Sequence, residues 1–163
     1  MLLLRNAVFA GLLLASMAVS AADHTTAAQR QAEAELLAVH QQDRRAHLER
    51  NVDLLLEHAG PQVLDVRDGK VKLLNRDDVR ARFRGYFSRA EFSAWDDVEP
   101  PVVHVSADGR TGWMVVRVRI AYSERDSAGH KTQHDATMAW MSAYEKREGR
   151  WVMTAVTSTS DEK

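Results

Sequence analysis

The sequence contains no cysteine, so it has neither a disulfide framework, nor thiol chemistry, nor a lipid-carrying cysteine, and the fold must be held by its core. Proline is scarce, three in 163 residues, and all three stand in breaks between patterned segments: Pro61, then Pro100-Pro101. No charge of one sign dominates. The 22 Lys and Arg face 23 Asp and Glu, a balance that gives no electrostatic reason to expect a nucleic-acid partner. The basic cluster Arg76, Arg80, Arg82 and Arg84 is interleaved with Asp77 and Asp78 and reads as a solvated helix face, with a phosphate site as the alternative. No serine lies in a Gly-x-Ser-x-Gly elbow, so nothing points to a serine nucleophile. Repeats and low-complexity segments are missing too.

Long apolar runs are also missing, with one exception. Ala7 to Val19 is apolar, follows Arg5 and is followed by Ser20-Ala21-Ala22. It falls short of the ~20 residues that span a bilayer and has the parts of a secretory signal peptide over residues 1–22, cleaved after Ala21 or after Ala22. The expected location is periplasmic or secreted, with no stable membrane anchor once the leader is removed. Removing Arg5 with it leaves a net charge of about −2. Residues 23–35 are then an extension or the start of the first helix. Residues 36–159 make a single domain, a length sufficient to bury a core.

What is present is strongly patterned. Ala27 to about Arg50 lacks Gly and Pro and places Leu36, Leu37, Val39, Leu48 and Val52 at helical spacings. Asn51 caps a short second helix that runs to His58 and ends at Gly60-Pro61. Gln62–Val66 and Lys70–Leu74 flank Arg67-Asp68-Gly69, a hairpin signal. Asn75-Arg76-Asp77-Asp78 opens a third helix with Val79, Phe83, Tyr86 and Phe87 on one face. The remainder is β in character, and from Thr111 the residues Met114, Val116, Val118, Ile120 and Tyr122 alternate with Trp113, Val115, Arg117 and Arg119. Helices first and long strands afterwards imply an α+β fold, its antiparallel sheet curling around three N-terminal helices as a cone. The open end of such a cone is a natural cavity.

This order, with Val66-Arg67-Asp68-Gly69-Lys70-Val71, Tyr86-Phe87, the run Glu91 to Pro101, Ser106-Ala107-Asp108-Gly109 and Gly149-Arg150-Trp151, resembles the nuclear transport factor 2-like (cystatin-like) superfamily, and within it the SnoaL-like secreted bacterial proteins. The resemblance covers roughly Leu36 to Ser158. It implies a cone-shaped barrel with an internal cavity, often a homodimer through the outer face of its sheet. The family includes isomerases, dehydratases, cyclases and non-catalytic binding proteins, so the fold by itself assigns no reaction.

Proton abstraction beside a carbonyl needs a base in an apolar cavity and a donor for the developing oxyanion. Asp65 matches the position of the base in the ketosteroid isomerases, although Val66 stands where they have proline. The alternative turns Leu64 and Val66 inward and Asp65 to solvent. His134 lines the cavity if it shares the face of Met138 and Trp140; its neighbour Asp135 must then point the other way. His40 and His47 interrupt the apolar stripe of the first helix. His40 is the stronger candidate for the pocket, and a solvated flank with Arg44 and Arg45 is the alternative. The catalytic candidates are thus Asp65, His40 and His134. The candidates for contact with ligand are His47, Tyr86, Trp95, Tyr122 and Trp140, with Tyr86, Tyr122 and Tyr144 as possible proton donors. The two helix histidines stand roughly 10 Å apart along the axis, too far to share an ion, so neither a metal site nor a cofactor is expected. The sequence supports a binder of a small apolar or mixed-polarity ligand, with or without acid–base isomerase, dehydratase or cyclase chemistry. The competing reading is a non-catalytic dimeric accessory module of the cell envelope.

Overall fold

A computed structural model describes residues 26–161 apart from Ser127; the leader expected over residues 1–22 lies outside the described residues. Thr26 and Gln29 form a reciprocal capping box that opens α1 (Ala27–Leu48), and the Asn51 side chain accepts from the Leu54 N–H to open α2 (Val52–Leu56). Asn75 accepts from the N–H groups of Asp77 and Asp78 at the start of α3 (Arg76–Arg89). Seven strands follow or intervene: β1 (Ala59–Arg67), β2 (Lys70–Asn75), β3 (Ala90–Asp97), β4 (Val102–Val105), β5 (Thr111–Arg125), β6 (Lys131–Arg147) and β7 (Arg150–Ser160). The β1–β2 turn is the expected two-residue Asp68-Gly69, both with positive φ, joining Arg67 to its partner Lys70.

The strand order is β2-β1-β7-β6-β5-β3, with β4 sharing β5's outer edge beyond the Pro100-Pro101 break. The sheet is open at both ends and mixed, which corrects the expectation of an antiparallel sheet: β1 runs parallel to β7, with Asp65 opposite Val156. Parallel neighbours need a long crossover, and the whole chain from β2 to β6 supplies it. Gly60, expected to stop a helix, lies within β1, where a Cβ would meet the Met153 carbonyl oxygen at 2.7 Å. The glycine permits close approach of two backbones.

α1 lies across the inner face of the sheet. Leu36 and Val39 pack with Met114, Val116, Tyr144 and Trp151, and Trp95 packs with Val118 and Ile120. Each fully buried aliphatic side chain of this kind contributes ~2 kcal/mol. Cross-strand pairs extend the inner face of β5 onto β6: Met114 opposite Ser142, Val116 opposite Trp140, Tyr122 opposite His134. In β3 a bulge at Ser93 inserts one residue between Phe92 and Ala94. Phe92 and Trp95, three apart in sequence, therefore both point inward.

Candidate functional site

The inward stripe of α1 reads Leu36, Val39, His40, Asp43, Ala46 and His47, the i, i+3, i+4 and i+7 positions of one face. Its polar members meet different partners. His40 is buried, 1% exposed, and its Nε2–H donates to Asp97 Oδ1 at 2.7 Å. This is not the solvated flank of the alternative reading; Arg44 is itself drawn onto β3, donating to the Trp95 carbonyl and to Asp96.

Asp43 and His47 are the unusual pair. The Asp43 carboxyl is enclosed by protein and keeps part of its surface accessible, yet no described residue gives it a hydrogen bond. Burial alone pushes its pKa up to about 7. His47 donates Nδ1–H to the Asp43 main-chain carbonyl at 2.8 Å. Its ring stacks on Trp95 at 5.2 Å between centroids and meets Phe83, Phe87 and Phe92 edge-on. Burial among these rings pulls the imidazole down to about 4, only partly opposed by that hydrogen bond. His47 is therefore neutral at physiological pH, with its proton on Nδ1.

Around these two residues the inner face carries three sealed polar atoms without a partner: Trp95 Nε1, Ser142 Oγ and the Tyr144 hydroxyl. Tyr144 is 2% exposed. Its hydroxyl is held far above the ordinary tyrosine range by burial and by the charge of Asp43, while Ser142, close by but not in hydrogen-bonding geometry, acts in the opposite direction. A sealed polar group without a partner costs ~1–3 kcal/mol. Three of them on one inner face, with Tyr144 near the Asp43 carboxyl, form a concentration of cost that stability does not explain.

The other predicted residues lie around this centre. Trp140 packs against Trp95. Tyr86 and Tyr122 meet edge-to-face, and His134 stacks on Tyr122 at 4.6 Å with Glu124 at 4.0 Å. Asp135, on the opposite face, is held by Arg119. Asp65 points inward with Val63, not to solvent, but Arg67 clamps its Oδ1 and Arg82 reaches its Oδ2 at 3.3 Å. Its carboxylate is thus committed to two guanidinium groups. Among the described residues no three His, Cys, Asp or Glu groups gather as metal ligands. Surface hollows of about 370 and 430 Å³ lie at Arg110, Lys146 and Glu148 and over the Trp113 and Met141 side of the sheet, the second also touching Tyr144. Neither includes Asp43.

Sequence reasoning missed Asp43 as a base. The available signal was its place in the stripe, three residues after His40 and four before His47. Tyr144 was legible, since β6 alternation puts it on the apolar face.

No family model and no curated protein matches the sequence. Solved structures do. A nuclear transport factor 2-like protein from Cytophaga hutchinsonii is 14% identical, with a TM-score of 0.61 over 77% of this chain and 94% of that one. A ketosteroid isomerase-like protein from Erwinia carotovora atroseptica is 13% identical, with a TM-score of 0.62 over 80% and 97%. A nuclear transport factor 2-like protein of unknown function in nutrient uptake from Rhodospirillum rubrum is 18% identical, with a TM-score of 0.60 over 76% and 96%. With helices clustered at the N-terminus and a curved, unclosed mixed sheet around them, the chain has the nuclear transport factor 2-like fold.

Proposed function

We propose that the protein binds a small, largely apolar ligand between α1 and the inner face of its sheet and acts on it by acid–base chemistry. Asp43 takes a proton from carbon beside a carbonyl, and Tyr144, with Trp95 Nε1 and Ser142 Oγ, donates to the oxygen on which charge develops. The observation that carries this reading is the Asp43 carboxyl, without a hydrogen bond from any described residue and near enough to the sealed Tyr144 hydroxyl to raise its pKa. A base that titrates near neutrality is half available at working pH and still strong enough to accept a proton. Donors already desolvated lose no water when the oxyanion forms, so the ligand's entry has only to open the side-chain packing that seals them. Trp95, Trp140, Tyr86 and Tyr122 supply flat apolar walls, and His40, fixed by Asp97, holds the middle of α1 against β3. The likeness to a ketosteroid isomerase-like protein agrees with this chemistry at the level of fold.

Two further parts of the proposal concern context. The leader pattern of residues 1–22 supports a protein working in the periplasm or outside the cell. An outward apolar row on β4, β5 and β6 supports a homodimer through the sheet's outer face; were the interior inert, the same row would serve an accessory module.

The test uses a flat neutral ketone, 2-tetralone, in D2O. The protein should catalyse deuterium uptake at the α-carbon, with a rate that rises through about pH 7. Asp43→Asn should lose that rate by ~100-fold or more, the range of a general base, and Tyr144→Phe by ~10-fold or more. Equal exchange in wild type and Asp43→Asn would remove the catalytic reading.

A further inference from the structure

The polar groups that face the interior are not all donors. Because the main-chain carbonyl of Asp43 can only accept, the His47 proton must sit on Nδ1. Nε2 is then a lone-pair acceptor. No described residue donates to it, and it is not among the sealed, unpartnered polar atoms. Four aromatic rings surround the imidazole, and protonating it there would place a cation in an apolar box. Asp43 and His47 are four residues apart on one helix, so their Cβ atoms lie ~6 Å apart. A single small ring system therefore reaches from the base to the imidazole.

The charges around the site add a second constraint. Among the described residues, basic side chains on the elements around α1 are engaged by carboxylates: Arg67 and Arg82 by Asp65, Arg44 by Asp96, Arg89 by Glu124, Lys146 by Glu35. Each of these cations already has its carboxylate, and an ionised Asp43 would repel an anionic ligand.

We infer that the natural ligand is an uncharged carbonyl compound that also carries a hydroxyl or N–H donor, its carbonyl oxygen directed to Tyr144 and Trp95 and its donor to His47 Nε2. This rests on the acid–base reading of the same site and narrows it to a substrate class. An unfilled acceptor discriminates strongly: a ligand without the donor leaves Nε2 desolvated and unpaired, whereas a matched one gains a hydrogen bond.

The probes are 2-tetralone, its four aromatic-ring monohydroxy isomers, the corresponding methoxy compounds and a ring carboxylate, with affinities read by chemical-shift perturbation. At least one hydroxytetralone should bind ~10-fold tighter than 2-tetralone. Its methoxy counterpart should lose that gain and the carboxylate should bind more weakly than the parent. His47→Phe, which fits a box of rings, should abolish the hydroxyl preference while still binding 2-tetralone. A readout in the wild type guards against a variant that fails to fold: the 15N resonance of His47 Nε2 should move on binding the preferred hydroxytetralone and stay put with 2-tetralone. If every isomer binds like the parent, if the preference survives in His47→Phe, or if Nε2 does not respond, the inference falls. Asp43-dependent exchange of 2-tetralone would then leave the acid–base reading standing. Absence of both binding and exchange would remove the two together.

Discussion

Asp43 and His47 stand one turn apart on α1, and burial displaces their protons in opposite directions, the carboxyl up to about 7 and the imidazole down to about 4. Between about pH 4 and 6.5 the folded protein holds a proton on Asp43 that the unfolded chain has released, and lacks one on His47 that the unfolded chain retains. The two counts match, so this pair contributes almost no slope to stability in that window. Removing one member unmasks the other. In Asp43→Asn only the depressed His47 remains, and stability should fall as pH drops from about 6.5 to 4. In His47→Phe only the raised Asp43 remains, and stability should be greatest near pH 4 and fall as pH rises through about 7. Each slope approaches ~1.4 kcal/mol per pH unit. Urea unfolding across this range checks it, and slopes of the same sign in both variants would contradict the assignment. Asp65 is predicted to behave differently. It is 5% exposed and held by two arginines, so Asp65→Asn should cost ~3 kcal/mol of stability while leaving ketone exchange per folded molecule intact. Loss of exchange with stability preserved would reinstate it as the base.

The elements that announced themselves in the sequence are those with local chemistry. Asn75 with Asp78, Asp68-Gly69, and the alternation from Met114 to Tyr122 each carry their instruction within a few residues, and each stands where it was expected. What remained hidden depends on distant chain. The β1–β7 pairing joins Asp65 to Val156 and leaves no local mark. The direction of Asp65 hinges on a one-residue choice of face in a strand with apolar residues on both sides. Asp43 was obscured for a related reason: a carboxylate in a helical stripe looks the same in sequence whether water or a pocket meets it. Gly112 shows how such long-range demands can be tested. A Cβ there would meet the His104 carbonyl oxygen at 2.8 Å and Leu36 Cδ1 at 2.9 Å. The leucine can turn, but the carbonyl belongs to the β4–β5 ladder. Gly112→Ala should therefore cost ~1–3 kcal/mol and raise amide exchange selectively in Val103 to Val105. A thermally unchanged variant would mean that β4 shifts freely.

At the scale of the whole molecule, the inner face of the sheet is committed to α1 and the candidate site, which leaves the outer face as a surface for a partner. There Val102, Val115 and Met141 are 57%, 37% and 41% exposed. The pairings Val102 to Val115 and Val115 to Met141 set them side by side across three strands. A second copy offers the same row, and a two-fold axis passing beside Met141 would bring the Met141 side chains of the two subunits together in a self-complementary contact. Such symmetry doubles the effect of a substitution. Met141→Glu would bury two carboxylates at one desolvated centre, each costing several kcal/mol unless paired, while leaving the inner face untouched. Light scattering coupled to gel filtration should show a wild-type dimer, and Met141→Glu should dissociate ~100-fold or more readily, equivalent to ~2.7 kcal/mol. The monomer so produced should still exchange 2-tetralone, because Asp43, Tyr144 and Ser142 all face the other side of the sheet. A wild type that stays monomeric at high concentration, or a dimer indifferent to Met141→Glu, would rule this face out as the contact. Loss of exchange in a well-folded monomer would instead mean that the two faces are coupled through β5 and β6.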